Sequence, residues 1–139
     1  MRYFFTLIFG CSIFLFCILF GVGGNLQGDG LHEFYLYNPS SNCKIVRLSE
    51  KESFNFIYLK SNLKGECVIL ENRRQAELTL KKHFAVKVLE EHGENFYCEY
   101  YYSPLISSYI YIKDKKINLH LSETNGQIKL GSPIIFGGF

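Results

Sequence analysis

The stretch "ENRRQAELTLKKHFAVKVLEE", residues 71–91, decides how this chain folds. Asn72 can cap a helix, and Gln75 follows three residues later, the spacing of a capping box. Most of the residues that follow are good helix formers. Ala76, Leu80 and Phe84 recur at i, i+4 and i+8 and define one apolar stripe, with Leu78 off it. Arg73, Arg74, Lys81 and Lys82 are expected to face water. Two arginines in the first turn oppose the helix dipole, so packing of the stripe must outweigh them. After Phe84 the period changes from helical to two, with Val86 and Val88 on one side of "AVKVLEE". One helix at 72–84 is thus set among strands.

Downstream the pattern is all strand. "HGEN" (92–95) reads as a hairpin turn, "FYCEYYY" (96–102) as the returning strand and "SPLISS" (103–108) as a loop opened by Pro104. "YIYIK" (109–113), "INLHL" (117–121) and "QIKLG" (127–131) read as a meander, with turns at "DKK" and at Asn125-Gly126. Ile110, Ile112, Ile117, Leu119, Leu121, Ile128 and Leu130 form its dry face. Lys113, Asn118, His120, Gln127 and Lys129 form the wet one. Upstream, "ECVIL" (66–70) is a short apolar run of the kind buried on both faces. "SNLKG" is a turn, and "FNFIYLK" (54–60) and "CKIVRL" (43–48) are strands. The fold class expected is α+β: one helix on a mostly antiparallel sheet in a single domain over 43–139.

Residues 25–42 are rich in Gly, Asn and Ser and read as a tether, with a short strand at 34–37. Before them lies "FFTLIFGCSIFLFCILFGVGG" (4–24), preceded by Arg2 and free of charge. About 20 apolar residues can span a bilayer, and Arg2 sets the N-terminus inside and the domain outside. A signal anchor fits this length. A signal peptide cleaved after Gly24, with Val22 and Gly24 as the small residues, is the other reading. A lipoprotein signal at Cys11 fits poorly, because most of the apolar run follows the cysteine. The expected location is the cell membrane with an extracytoplasmic domain, or secretion if the segment is cleaved.

Beyond residue 24 the chain carries every Lys and Arg but Arg2, 14 of 15, against 13 Asp and Glu. That near balance argues against a nucleic-acid partner, which needs a basic face. Of five cysteines, Cys11 and Cys17 lie in the apolar run and Cys43, Cys67 and Cys98 beyond it. An odd number allows at most one internal disulfide. Cys67 and Cys98 are expected as buried thiols in strands.

The chain ends on "KLGSPIIFGGF" (129–139), apolar after Lys129. Pro133 suits a strand entry or edge. A last sheet strand plugged by Phe139 is preferred to an outer-membrane barrel signal, whose strand alternation Gly137 and Gly138 break. Addition to a partner's sheet is a further alternative.

Gly65-Glu66-Cys67-Val68, the helix, Tyr102-Ser103-Pro104 and Gly131-Ser132-Pro133-Ile134-Ile135 together resemble the small extracytoplasmic proteins of low-GC Gram-positive bacteria, among them the YwmB-type family with its TATA-box-binding-like fold. The resemblance covers roughly 60–139. It implies an α+β fold and an envelope location, and it brings no catalytic residue.

No phosphate loop, dinucleotide fingerprint or Gly-x-Ser-x-Gly is present. His32, His83, His92 and His120 show no zinc spacing, so neither a cofactor nor a metal is expected. Glu90, Glu91, His92 and Glu94 read as a solvated turn. The tyrosines around the 103–108 loop carry the functional content. Tyr101, Tyr102 and Tyr109 are the candidate binding residues, for an envelope protein or a cell-wall polymer; cross-strand packing is the competing role. The alternative function is a small hydrolase or thiol enzyme using Cys98 with His83 or His120.

Overall fold

The chain is seen in a computed structural model, which describes residues 8–13, 26, 29–37, 44–49 and 63–136. The helix, α1, spans Arg73–Lys82. Asn72 caps it as expected: its side-chain oxygen accepts from Gln75 N at 3.1 Å. The Gln75 side chain reaches back one residue beyond the cap, accepting from Glu71 N at 3.2 Å. Ala76 and Leu80 are buried. Phe84, expected on the same stripe, is not. The helix stops first, with His83 as its C-cap. Phe84 adopts the left-handed conformation at φ 51°. Phe84 N then donates to Lys81 O at 3.1 Å and Ala85 N to Leu80 O at 3.0 Å. This pair of bonds is the Schellman closure, built here with Phe where Gly is usual, and it turns the ring outward.

Among the described residues, nine strands accompany the helix. They are β1 (Leu31–Leu36), β2 (Lys44–Ser49), β3 (Leu63–Leu70), β4 (Val86–His92), β5 (Phe96–Tyr102), β6 (Ile110–Ile112), β7 (Lys115–Ile117), β8 (Leu119–Thr124) and β9 (Gln127–Ser132). Seven form one sheet in the order β2-β1-β3-β9-β8-β5-β4, each neighbour antiparallel to the next. The fold is α+β. By this alternation β3 and β4 run the same way, and α1 carries the chain back across the sheet between them. One end of the sheet holds the β4–β5 and β8–β9 turns and the start of α1. The other holds the end of β5 at Tyr102 and the end of α1.

The main core lies on the helix side. Val68, Leu70, Leu119, Leu121, Ile128 and Leu130 meet Ala76, Leu80 and Ile106 there. Each Val, Leu or Ile among them contributes roughly 1.5–3 kcal/mol by leaving water. Leu26 belongs to the same cluster, and its backbone N–H donates to buried Glu66 at 2.7 Å. The stretch read as a tether thus supplies a core residue and the six-residue strand β1. β3 begins at Leu63, within the expected turn, and its Cys67 and Val68 are both buried, so it is covered on both faces.

The opposite face departs from the expected meander. Residues 109–117 leave the sheet and form a separate hairpin, β6–β7. Its Ile110, Ile112 and Ile117 pack on Cys98, Tyr100 and Leu89. Asn118 and His120, expected in water, are buried, Asn118 by the 103–108 loop and His120 by the Ile135 return. Nor does a further strand follow β9 among the described residues. The chain turns at Pro133 and lies back over this face, where Ile135 and Phe136 cover Tyr35 and Cys67. A β-carbon at Gly65 would run into the Phe136 ring, and one at Gly131 into the Ile135 backbone, so both positions need glycine. At the β4 edge the register shifts between Lys87 and Leu89, which breaks the expected pairing of Val86 with Val88 on one side.

Cys67 and Cys98 are buried free thiols in strands, as expected. The expected strand at 54–60, Cys17, Cys43 and residues 137–139 lie outside the described residues. Residues 8–13 are helical and exposed. Among the described residues no helix is long and apolar enough to cross a membrane.

Candidate functional site

The β6–β7 hairpin turns through Lys113 and Asp114, both left-handed at φ 48° and 62°. Two such residues make the tight turn whose twist matches paired strands. The turn sets Tyr111 opposite Lys116 and Ile110 opposite Ile117. Strand alternation then sends the isoleucines inward and Tyr109, Tyr111 and Lys116 outward. Tyr109 and Tyr111 meet edge to face, centroids 5.7 Å apart and planes at 87°. The Lys116 ammonium lies 3.8 Å from the Tyr109 ring centroid and 5.2 Å from that of Tyr102. Tyr109 and Tyr111 are 46% and 65% exposed. The result is an open surface of ring faces around one cation, held together by cation–π attraction.

Asn118 fixes this cluster to the sheet. Its backbone N–H donates to Tyr101 O at 3.0 Å. Its side-chain oxygen accepts from Ser103 N at 2.7 Å, and its amide nitrogen donates to Ser103 O at 2.7 Å and Ile106 O at 2.9 Å. One buried amide thus closes the 103–108 loop and ends β7, which positions Tyr102, Tyr109 and Lys116 together. Two of the three predicted binding residues, Tyr102 and Tyr109, converge on Lys116.

Tyr101 does not join them. It points to the helix side, packs on the main core, and its hydroxyl donates to Glu99 at 3.1 Å. Glu99 is almost fully buried. It also accepts from Tyr97 at 2.7 Å, Arg73 at 2.6 Å and Lys87 at 3.3 Å. Burial alone would push the Glu99 carboxyl up. The Tyr97 hydroxyl and the Arg73 guanidinium, with Tyr101 and Lys87, outweigh that and hold it below its ordinary value. Burial and the neighbouring Glu99 push the Tyr101 phenol up to about 12. Arg73 further pairs with Glu77 at 3.3 Å and Glu123 at 3.5 Å, so it does not simply face water. The sequence signal for this network was the alternation Tyr97, Glu99, Tyr101, which places all three on one face.

The residues of the thiol-enzyme alternative, Cys98, His83 and His120, sit as follows. The Cys98 thiol is 3.6 Å from Ser122 Oγ rather than against an imidazole, and burial pushes it up, away from thiolate. His120 stacks on Tyr100 with centroids 4.5 Å apart, and its Nδ1 accepts from Ile135 N at 3.3 Å. Burial lowers its pKa to about 4. The Nδ1 of His83 lies 2.8 Å from Thr79 O, beside the helix C-terminus.

In the Glu90–Glu94 turn, Glu90 pairs with Lys87 at 2.7 Å and Glu91 with Lys113 at 2.9 Å. Among the described residues no group of three or more metal-ligating side chains converges. No protein-family model, curated protein or solved structure matches the chain.

Proposed function

We propose that this chain is a non-catalytic interaction domain of the cell envelope, held at the membrane by residues 4–24 with its sheet domain outside, or released if the segment is cleaved after Gly24. The observation that carries the binding reading is the open Tyr102–Lys116–Tyr109–Tyr111 surface. Rigid aromatic faces with a cation at their centre suit stacking on sugar rings or capture of a peptide, because little side-chain freedom is lost on contact. The apolar run behind Arg2 and the resemblance to YwmB-type proteins support the location. The buried, protonated state of Cys98 and its distance from the role of a nucleophile favour binding over thiol chemistry.

The test is binding of the full chain to isolated cell-wall polymer, together with cross-linking from position 109 in native envelopes. Tyr102→Ala with Tyr109→Ala should lower retention or abolish a specific cross-link while the melting temperature holds. Cys98→Ser should leave both unchanged. Turnover of a small molecule by the purified protein, lost in Cys98→Ser, would overturn the reading.

A further inference from the structure

Beside the tyrosine surface, the Tyr102 end of the molecule carries a second feature. Phe84 and Leu105 are 70% and 61% exposed there. Both are fixed rather than loose. Phe84 is held out by the left-handed closure of α1. Leu105 N donates to Ser103 Oγ at 3.1 Å, and that hydroxyl donates to His83 O at 2.6 Å. One hydrogen-bond chain therefore ties the backbone next to Phe84 to that of Leu105, so the two apolar side chains stand on one linked stretch of surface. Lys81 and Lys82, in the exposed last turn of α1, flank it.

Acidic residues are sparse in the stretches around Phe84 and Leu105. No acidic residue lies between Glu77 and Glu90, nor between Glu99 and Asp114, the two stretches that build this end. Glu71, Glu94 and Glu123 gather toward the other end, around the start of α1 and the hairpin turns.

The third observation is the lack of slack. Leu26 is buried and its N–H donates to Glu66, which pairs with Ser132, the last residue of β9, and so lies toward this end of the sheet. Gly24, the last residue of the apolar run, is two residues before Leu26. Two extended residues reach about 7 Å. A domain whose core begins that close to a membrane segment rests on the bilayer.

We propose that the Phe84–Leu105 rim, with Lys81 and Lys82, seats on the anionic phospholipid headgroup layer of the membrane that residues 4–24 enter. This rests on the anchoring reading above. Apolar tips flanked by lysines suit that layer, where side chains reach the acyl boundary while ammonium groups meet phosphate.

The experiment uses the full chain in vesicles of phosphatidylglycerol and phosphatidylethanolamine carrying a photoactivatable lipid, with adducts mapped by mass spectrometry. Adducts are expected on peptides holding Phe84 and Leu105 and not on those holding Glu94 or Asn125. Lys81→Glu with Lys82→Glu, or vesicles of phosphatidylcholine alone, should cut them about fivefold or more. Retention through an alkaline carbonate wash, with adducts confined to 4–24 or equal at both ends, sinks the rim alone. Release by carbonate sinks the anchoring reading, and the rim with it. A rim that cross-links to an envelope protein in native membranes and collects no lipid identifies a protein occupant and overturns the proposal.

Discussion

Glu66 accepts a hydrogen bond from the backbone N–H of Leu26 at 2.7 Å, across 40 residues of chain. The carboxylate is buried in β3, and the bond holds Leu26 where its side chain joins Leu80 and Ile106. Leu26→Ala should therefore cost about 3 kcal/mol of unfolding free energy, as for other core Leu deletions. Glu66→Gln, which keeps an acceptor oxygen, should cost about 1 kcal/mol. Denaturant titration followed by tyrosine fluorescence reads both. A Leu26→Ala protein as stable as the parent would remove Leu26 from the core.

Glu99 gathers two cations and two phenols. Glu99→Ala should lower stability by about 2 kcal/mol, because the Tyr97 and Tyr101 hydroxyls lose their acceptor and the partly exposed Arg73 and Lys87 their shared carboxylate. Arg73→Ala should cost less, about 1 kcal/mol, since Arg73 is partly exposed and Lys87 remains. The sign with pH follows from the lowered carboxyl. The unfolded chain takes up the proton first as pH falls, so the stabilisation is present above the ordinary value of 4.5 and is lost as pH drops through the folded value. The Glu99→Ala protein should show a shallower acid limb.

Phe84 is a left-handed residue without glycine's freedom. Its ring is exposed, so little burial is lost on removal. Phe84→Gly should raise stability by about 0.5–1 kcal/mol, measured as a shift of the denaturation midpoint. Phe84→Val, β-branched at the same position, should lower it. A loss of stability in the glycine variant would contradict the Schellman closure.

His120 titrates in the opposite compartment of the fold. Its pKa falls from 6.5 to about 4 on burial, so the unfolded chain binds its proton first. Stability should decline as pH drops from 6.5 toward 4, by about 3 kcal/mol in total for this group. His120→Gln, which can still accept from Ile135 N, should flatten that limb in urea titrations at stepped pH. An unchanged slope would show that His120 is protonated or solvated in the folded protein.

The helix, its cap and the β8–β9 hairpin were legible because each depends on local spacing: Asn72 with Gln75, Ala76 with Leu80, Asn125 with Gly126. The buried thiols Cys67 and Cys98 were legible from apolar surroundings. What local pattern could not show was which face another segment would cover. Asn118 and His120 read as wet because they alternate with isoleucine and leucine. They are dry because the 103–108 loop closes on Asn118 and the Ile135 return lies over His120. Arg73 read as solvated because Glu99 is distant in sequence and adjacent only across the sheet. In the candidate site, Tyr102 and Tyr109 were legible as a cluster around a loop. Tyr101 parts from Tyr102 because successive strand residues point to opposite faces, a distinction that becomes decisive only once the helix side is known.

The strand order has a temporal meaning. β9 is the middle strand of seven and β8 is its neighbour, yet both follow the other five strands of the sheet along the chain. Until they emerge, β1–β2–β3 and β4–β5 are separate pieces with open edges on β3 and β5. Neither piece can complete the shared core, since Leu119, Leu121, Ile128 and Leu130 are still missing from it. Joining the two pieces therefore waits for β8 and β9 and is driven by contacts between distant parts of the chain, a slow regime in which exposed edges invite wrong pairing. A chain interrupted before Leu119 would leave two half-sheets with nothing to join them, and its survival would depend on whatever guards those edges during synthesis.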